Sequence, residues 1–415
     1  MARSSSHSMR PGASQRWVHG FHVMVKPIGP ICNLDCAYCY YLDKESLYPD
    51  NGPMLNAWRM SDATLETFVR DYIAAQPRAP EINFGFQGGE PTLLGLEFFR
   101  KVIALQYKYA RPLQPISNMV QTNGTLLDDR WCQFFKEHNF LVGLSLDGPP
   151  DLHDKYRCDK AGRGTHSNVL RGLRLLQKHG VDVNILCVLN RHNAGYPLRL
   201  YDYFKSLDIR FIQFIPIVEH VGLGTVSDRS ILPEQYGSFL TTLFDEWIQH
   251  DVGNMFINLF DVALQAYAGE TPSLCVHAET CGGALALEHN GDLYACDHFV
   301  EPRHLRGNIQ NIPLPLLIDD PSQDSFGTAK RDSLPAQCRT CSVRFLCHGG
   351  CPKDRFSITE SKEPGLNYLC AGYKHFFTHI DAPMRQMKSY LERGLPASSI
   401  MSGPCVSPVT EAWGE

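Results

Sequence analysis

Between residues 21 and 220 two hydrophobic periods alternate along the chain. Short apolar, β-branched runs fall at 21–26, 81–87, 116–123, 140–147, 181–190 and 211–217. Segments with helical spacing separate them at 61–75, 96–109, 128–138, 165–179 and 196–207. Ser61, followed by Thr64 and Glu66, has the composition of a capped helix start. Strands this continuously apolar, each followed by a helix, predict a parallel sheet with covering helices. Six units fall short of the eight that close a TIM-type barrel, so the expected α/β fold is a partial (β/α)6 barrel.

In barrels of this type the site sits where strand C-termini point. Each of the first five predicted strands runs out into polar or glycine-rich sequence at that end. The first is followed by the cysteines of 32–39, the second by Gln87-Gly-Gly-Glu90-Pro91-Thr92 and the third by Gln121-Thr-Asn123-Gly124. Ser145-Leu-Asp147-Gly148 ends the fourth and Asn190 the fifth. The shared rim is therefore the candidate active site. Within it, Gly88 and Gly89 permit close backbone approach to a ligand, and Glu90 or nearby carbonyls can accept from an ammonium group. The Ser145 hydroxyl can bond a ribose, the Arg157 guanidinium can pair a carboxylate, and Val218 after the sixth strand can make an apolar contact.

Beyond the barrel (21–231) the pattern is helical over 232–270, which reads as a bridge between domains. A cysteine-rich domain follows at 271–377, then a C-terminal helix and disordered tail at 378–415. Residues 1–20 read as a Ser-rich disordered tail with no apolar signal core. The hydrophobic content of 43% and charged content of 20% are those of an ordinary globular protein. A net charge of -5 without a basic stripe argues against nucleic acid, and no apolar run reaches membrane-spanning length.

Cysteine changes the picture, with fifteen in the chain. Cys132, Cys158, Cys187 and Cys405 are scattered. Eleven are clustered, and without a secretion signal clustered cysteines point to metal in a reducing, cytoplasmic compartment. Cys32, Cys36 and Cys39 form a C-x3-C-x2-C run, and three thiolates leave one iron of a [4Fe–4S] cluster open to a ligand. The second group is Cys275, Cys281, Cys296, Cys338, Cys341, Cys347, Cys351 and Cys370, enough for two four-ligand sites. Asn290-Gly291 between apolar residues predicts a β-hairpin between Cys281 and Cys296. Structural zinc is the alternative for both groups.

The first run, with Tyr38 before its third cysteine, resembles the signature of radical S-adenosylmethionine (SAM) enzymes, and Gly88-Gly89-Glu90 resembles their GGE motif. The later cysteines resemble a SPASM domain with two auxiliary clusters. That resemblance implies Cys275, Cys281, Cys296 and Cys351 on one cluster and Cys338, Cys341, Cys347 and Cys370 on the other. It also implies that Tyr38, Ser145, Arg157 and Val218 contact SAM. From about residue 21 to 377 the chain is similar to the anaerobic sulfatase-maturating enzymes. The residues that carry this include Phe-Gln-Gly-Gly-Glu-Pro-Thr at 86–92, His-Asp-Lys-Tyr-Arg at 153–157, Cys-His-Gly-Gly-Cys-Pro-Lys at 347–353 and, most discriminating, Tyr-Ala-Cys-Asp-His-Phe-Val at 294–300.

The family resemblance implies oxidation of a Cys or Ser of a sulfatase to Cα-formylglycine without oxygen. A 5′-deoxyadenosyl radical would remove a Cβ hydrogen, Asp297 would act as the base, and the auxiliary clusters would take the second electron. It further implies three [4Fe–4S] clusters, SAM, an unfolded sulfatase segment with Cys or Ser two residues before Pro or Ala and four before Arg, and a reduced donor such as flavodoxin or ferredoxin. Two other readings remain open: a SPASM enzyme that crosslinks ribosomal peptides, and an iron–sulfur electron carrier. About twenty residues before the first strand disfavour the former, and the Gly-Gly-Glu rim disfavours the latter.

Overall fold

The first strand, β1 (His22–Lys26), lies inside the sheet, with Val23, Val25 and Lys26 fully buried. It is followed by α1 (Asp62–Ala75), β2 (Ile82–Phe86), α2 (Leu96–Tyr109), β3 (Ile116–Thr122), α3 (Asp129–Glu137) and β4 (Phe140–Ser145). Then come the short α4 (Pro150–His153), α5 (His166–Lys178), β5 (Val183–Leu189), α6 (Pro197–Ser206) and β6 (Phe211–Pro216). Strands β1 to β6 pair in parallel in chain order, the parallel sheet of a partial (β/α)6 barrel that the periodicity predicts. Ser61 caps α1 by accepting from the Thr64 N–H at 3.0 Å, which satisfies one of the helix's orphan donors. The computed structural model describes residues 20–402 apart from 53, 77 and 223, so the expected N-terminal tail lies outside the described residues except for Gly20.

After β6 a small hairpin, β7 (His220–Gly222) with β8 (Thr225–Val226), precedes α7 (Pro233–His250), β9 (Phe256–Ile257) and α8 (Asn258–Tyr267). The segment read as a purely helical bridge thus also supplies a strand, because β9 pairs with β6 and covers that edge. The predicted hairpin is present as β10 (Ala284–Glu288) and β11 (Asp292–Tyr294), with Gly291 at φ +94° in the turn. It does more than carry cysteines. β10 pairs in parallel with β1, from His22 opposite Ala284 to Lys26 opposite Glu288. Leu285, Ala286 and Leu287 are fully buried, so the cysteine-rich part completes the edge of the barrel sheet. With β12 (Leu305–Asn308) the sheet reaches ten strands, in the order β12-β11-β10-β1-β2-β3-β4-β5-β6-β9.

The remaining helices are α9 (Leu314–Ile318), α10 (Pro321–Asp332), α11 (Ala336–Arg339), α12 (Arg344–Cys347), α13 (Cys370–His379) and α14 (Asp381–Glu392). α13 lies so close to α7 that a methyl on Gly372 would sit 2.3 Å from the Pro233 carbonyl oxygen. Residues 397–402, expected to belong to the disordered tail, instead form a 3-10 helix whose Ile400 and Met401 pack on the core; Cys405 lies outside the described residues. No helix among the described residues is long and apolar enough to cross a membrane.

Candidate active site

The cysteine loop leaves β1 and is held in place by its neighbours' backbones. Asp35 N donates to the Cys158 carbonyl and Ala37 N to the Tyr156 carbonyl, each at 2.9 Å. Leu34 N donates to Cys32 Sγ at 3.3 Å, and Asn123 Nδ2, from the exit of β3, reaches the same sulfur at 3.7 Å. Burial pushes the Cys32 thiol up to about 12 and Cys36 to about 11, so both are protonated when nothing is coordinated.

The Gly-Gly-Glu segment is built differently from the sequence expectation. Gly88 and Gly89 have φ of +85° and +47°, but what approaches them is protein. A methyl on Gly88 would lie 2.3 Å from Lys26 Cδ, and one on Gly89 2.0 Å from the Ile31 carbonyl oxygen. Glu90 is 1% exposed, and its carboxylate is fully engaged. Oε1 accepts from Thr92 N, Thr92 Oγ1 and Thr122 Oγ1 at 3.0, 2.6 and 2.8 Å, and Oε2 accepts from Asn123 N at 2.8 Å. Burial raises its pKa and these four donors oppose the rise. The side chain ties the β2 and β3 exits together, which leaves backbone carbonyls as the acceptors for an ammonium group.

Arg157 is likewise committed. Its Nε and Nη2 donate to Asp147 at 2.9 and 3.2 Å, and the guanidinium lies 5.4 Å from the Tyr38 ring centroid. Tyr38 donates its hydroxyl to Asp147 as well, and Val188 N adds a bond to Asp147 at 2.9 Å. The carboxylate that Arg157 pairs with is thus the protein's own Asp147. Together Tyr38 and Arg157 form a buried knot with Asp147, two residues past Ser145 at the end of β4, as the acceptor at its centre. Val218 is buried in the main hydrophobic core just past β6.

Asp297 follows immediately after Cys296, just past the strand β11. Its carboxylate pairs with the Lys26 ammonium and accepts from Tyr40 Oη at 2.8 Å. Burial pushes its pKa up, but Lys26, His298 and the hydrogen bonds from Lys26 and Tyr40 outweigh that and hold it below the usual carboxylate value. Its side chain keeps 24% of its surface exposed and Tyr40 keeps 45%, so the pair is partly open to solvent.

Lys26 is the residue that sequence reasoning missed. Completely buried, it donates to Gln87 Oε1 at 3.0 Å, and Gln87 Nε2 donates to Gln121 Oε1 at 2.7 Å, so one polar chain links the exits of β1, β2 and β3 to Asp297. The only signal for it was a charge closing an otherwise apolar strand.

The described cysteines are free thiols. In the second constellation the interactions that raise their pKa values, after burial, fall into two sets. Cys275 acts on Cys281, Cys296 and Cys351, and Cys351 acts on Cys296. Cys338 and Cys341 act on Cys347 and Cys370, and Cys370 on Cys347. None of these interactions crosses between sets, and Cys351 falls with the earlier cysteines despite its place in the chain. Among the described residues no three His, Cys, Asp or Glu converge as one metal ion requires.

Residues 27–204 match the model of the radical SAM superfamily, and residues 275–342 that of an iron-sulfur cluster-binding domain. The serine-type anaerobic sulfatase-maturating enzyme of Bacteroides thetaiotaomicron is 46% identical over 92% of this chain and 94% of its own length. The chain belongs to the anaerobic sulfatase-maturating enzymes. The cysteine-type member from Clostridium perfringens is 37% identical over 86% of this chain and 95% of its own length. A solved structure of native anSMEcpe with bound AdoMet and Cp18Cys peptide superposes with a TM-score of 0.78 at 35% identity, covering 89% of this chain and 99% of that one. As a sulfatase-maturating enzyme of the radical SAM class, the protein uses [4Fe–4S] clusters and SAM as its cofactors.

Proposed function

We propose that the protein oxidises a serine, and less readily a cysteine, of an unfolded sulfatase segment to Cα-formylglycine. The observation that carries this reading is Asp297: an ionised, partly exposed carboxylate on the rim, held by Lys26 and joined through one peptide bond to Cys296. Cys32, Cys36 and Cys39 would hold the cluster whose open iron binds SAM, and Gly88 to Glu90 with Ser145 and Val218 would border that SAM. Bound SAM supplies the 5′-deoxyadenosyl radical that removes a Cβ hydrogen. Asp297 takes the hydroxyl or thiol proton, which the adjacent carbon radical has made acidic. Lys26 keeps that carboxylate ionised beforehand and Tyr40 orients it. Cys275, Cys281, Cys296 and Cys351 would hold the nearer electron-accepting cluster, and Cys338, Cys341, Cys347 and Cys370 the farther one.

The preference for serine rests on similarity: the serine-type relatives from Bacteroides thetaiotaomicron and Klebsiella aerogenes are 46% and 43% identical, the cysteine-type one 37%. The substrate would be a segment with Ser or Cys two residues before Pro or Ala and four before Arg, lying over the partly exposed Tyr40 and Asp297. A low-potential donor of the flavodoxin or ferredoxin class would supply electrons, in the cytoplasm. The test is Asp297→Asn with a serine peptide: it should still release 5′-deoxyadenosine while aldehyde formation drops at least tenfold. Undiminished aldehyde in that variant would remove Asp297 from the mechanism.

A further inference from the structure

Lys330 and Arg355 are cations placed where no carboxylate meets them among the described residues. Lys330, on α10, is 1% exposed. Its ammonium donates to three carbonyls of one loop: Cys275 at 2.5 Å, Val276 at 2.9 Å, and Ala278. Arg355 is wrapped by the loop between Cys347 and Cys351. Nε donates to Gly349 O at 2.9 Å, and Nη2 to His348 O and Gly350 O at 2.8 and 3.3 Å. Nη1 donates to the carbonyl of Lys330 itself at 2.6 Å, so the two cations are mechanically joined. His348, Gly349 and Gly350 all take positive φ, at 45°, 73° and 61°, to bring their carbonyls round the guanidinium.

A buried cation such as Lys330 without an anion is costly, a half-buried one such as Arg355 less so, and carbonyl dipoles alone do not neutralise either. Arg355 opposes the charge of Lys330, and the groups that favour the two cations are cysteines. Lys330 feels Cys281, Cys275 and Cys351, all of one set. Arg355 feels Cys338 and Cys347 of the other set, and also Cys281 and Cys351. Lys330 bonds the carbonyl of Cys275 itself, and Arg355 the three carbonyls that lie between Cys347 and Cys351. Only coordinated thiolates supply the missing negative charge.

We infer that Lys330 and Arg355 set the reduction potentials of the two auxiliary clusters, Lys330 acting on the one beside Asp297 and Arg355 on both. This deepens the proposed function and rests on its cysteine sets. In the reaction the substrate carbon radical gives up one electron and, to Asp297, one proton, and becomes the carbonyl product. The electron adds one negative charge to the accepting cluster. A fixed cation nearby favours that reduced state, so both residues make the clusters better electron acceptors. They are positioning residues, since neither touches substrate.

The test uses the full reconstituted chain without SAM or peptide, by redox titration followed by electron paramagnetic resonance. Iron and sulfide are counted first; a wild-type chain holding fewer than three clusters would overturn the ligand sets themselves, a failure distinct from the one tested next. Lys330→Gln should make reduction of one auxiliary cluster about tenfold less favourable, a shift of about 59 mV for one electron, and leave the other cluster in place. Arg355→Gln should lower both. Midpoints unchanged in both Gln variants would overturn the inference. Should a Gln variant fail to hold its cluster, Lys330→Arg and Arg355→Lys decide: they keep the charge, so wild-type midpoints are expected, and a tenfold shift would overturn the role of charge.

Discussion

Replacing Lys26 by Met keeps the length of the side chain and removes its charge from a fully buried position. In the native rim that ammonium is shared by Asp297, Gln87 Oε1 at 3.0 Å and the face of Tyr41 at 4.4 Å. Without it, the burial that pushes the Asp297 carboxyl up is no longer outweighed, and a larger fraction is protonated at neutral pH. Breaking a fully buried ion pair costs about 3–5 kcal/mol. Here the carboxylate is 24% exposed and keeps the Tyr40 bond at 2.8 Å, which brings the loss down to about 2 kcal/mol, or roughly thirtyfold in rate. The assay is anaerobic single turnover with a serine peptide, following aldehyde by mass spectrometry and 5′-deoxyadenosine in the same sample. Aldehyde should fall about thirtyfold while deoxyadenosine persists. Raising the pH should recover part of the loss, because the carboxyl ionises again as pH passes its raised pKa. Full aldehyde yield in Lys26→Met, or an equal loss of both products at every pH, would refute the reasoning.

Three other outcomes follow from separate parts of the molecule. Gly89→Ala places a methyl 2.0 Å from the Ile31 carbonyl oxygen and should displace the first cysteine loop; iron analysis should show one cluster lost and the others retained. Asp147→Asn leaves the buried Arg157 guanidinium without its anion, and thermal unfolding should show a loss of about 3 kcal/mol. Asp261, in the first turn of α8, has its pKa raised by burial to about 6. A raised carboxyl stabilises the fold below about pH 4 and loses that contribution as pH rises through about 6. Asp261→Asn should therefore be more stable than wild type by about 2 kcal/mol at pH 7.5, allowing for its partial exposure, and no more stable at pH 4.

The strands and helices of the barrel were legible because each is long, periodic and punctuated: the segment read at 61–75 is α1 with Ser61 as its cap. The cysteine loops were legible because their spacing carries chemistry. The union of the two parts was not. β10 pairs with β1 across most of the chain, and nothing local in Leu285 to Leu287 distinguishes a strand that joins another domain's sheet from one that stays in a hairpin. The same distance hid the Lys26–Asp297 pair, since each residue looks like an ordinary polar end of its own strand. Glu90 and Arg157 were found as rim residues, but their charged groups face protein: the Thr92, Thr122 and Asn123 donors and the Asp147 carboxylate become visible only once β2, β3, β4 and β5 lie side by side.

The central claim is that this rim generates an aldehyde on a sulfatase peptide. The most direct measurement incubates the anaerobically reconstituted protein with SAM, a strong reductant and paired peptides that differ only in Ser or Cys at the target position. Mass spectrometry then follows each peptide and 5′-deoxyadenosine together. The account predicts formylglycine at the target residue of both, faster on the serine peptide, with deoxyadenosine formed alongside. Deoxyadenosine without aldehyde on either peptide, in protein holding its full iron and sulfide, would contradict it.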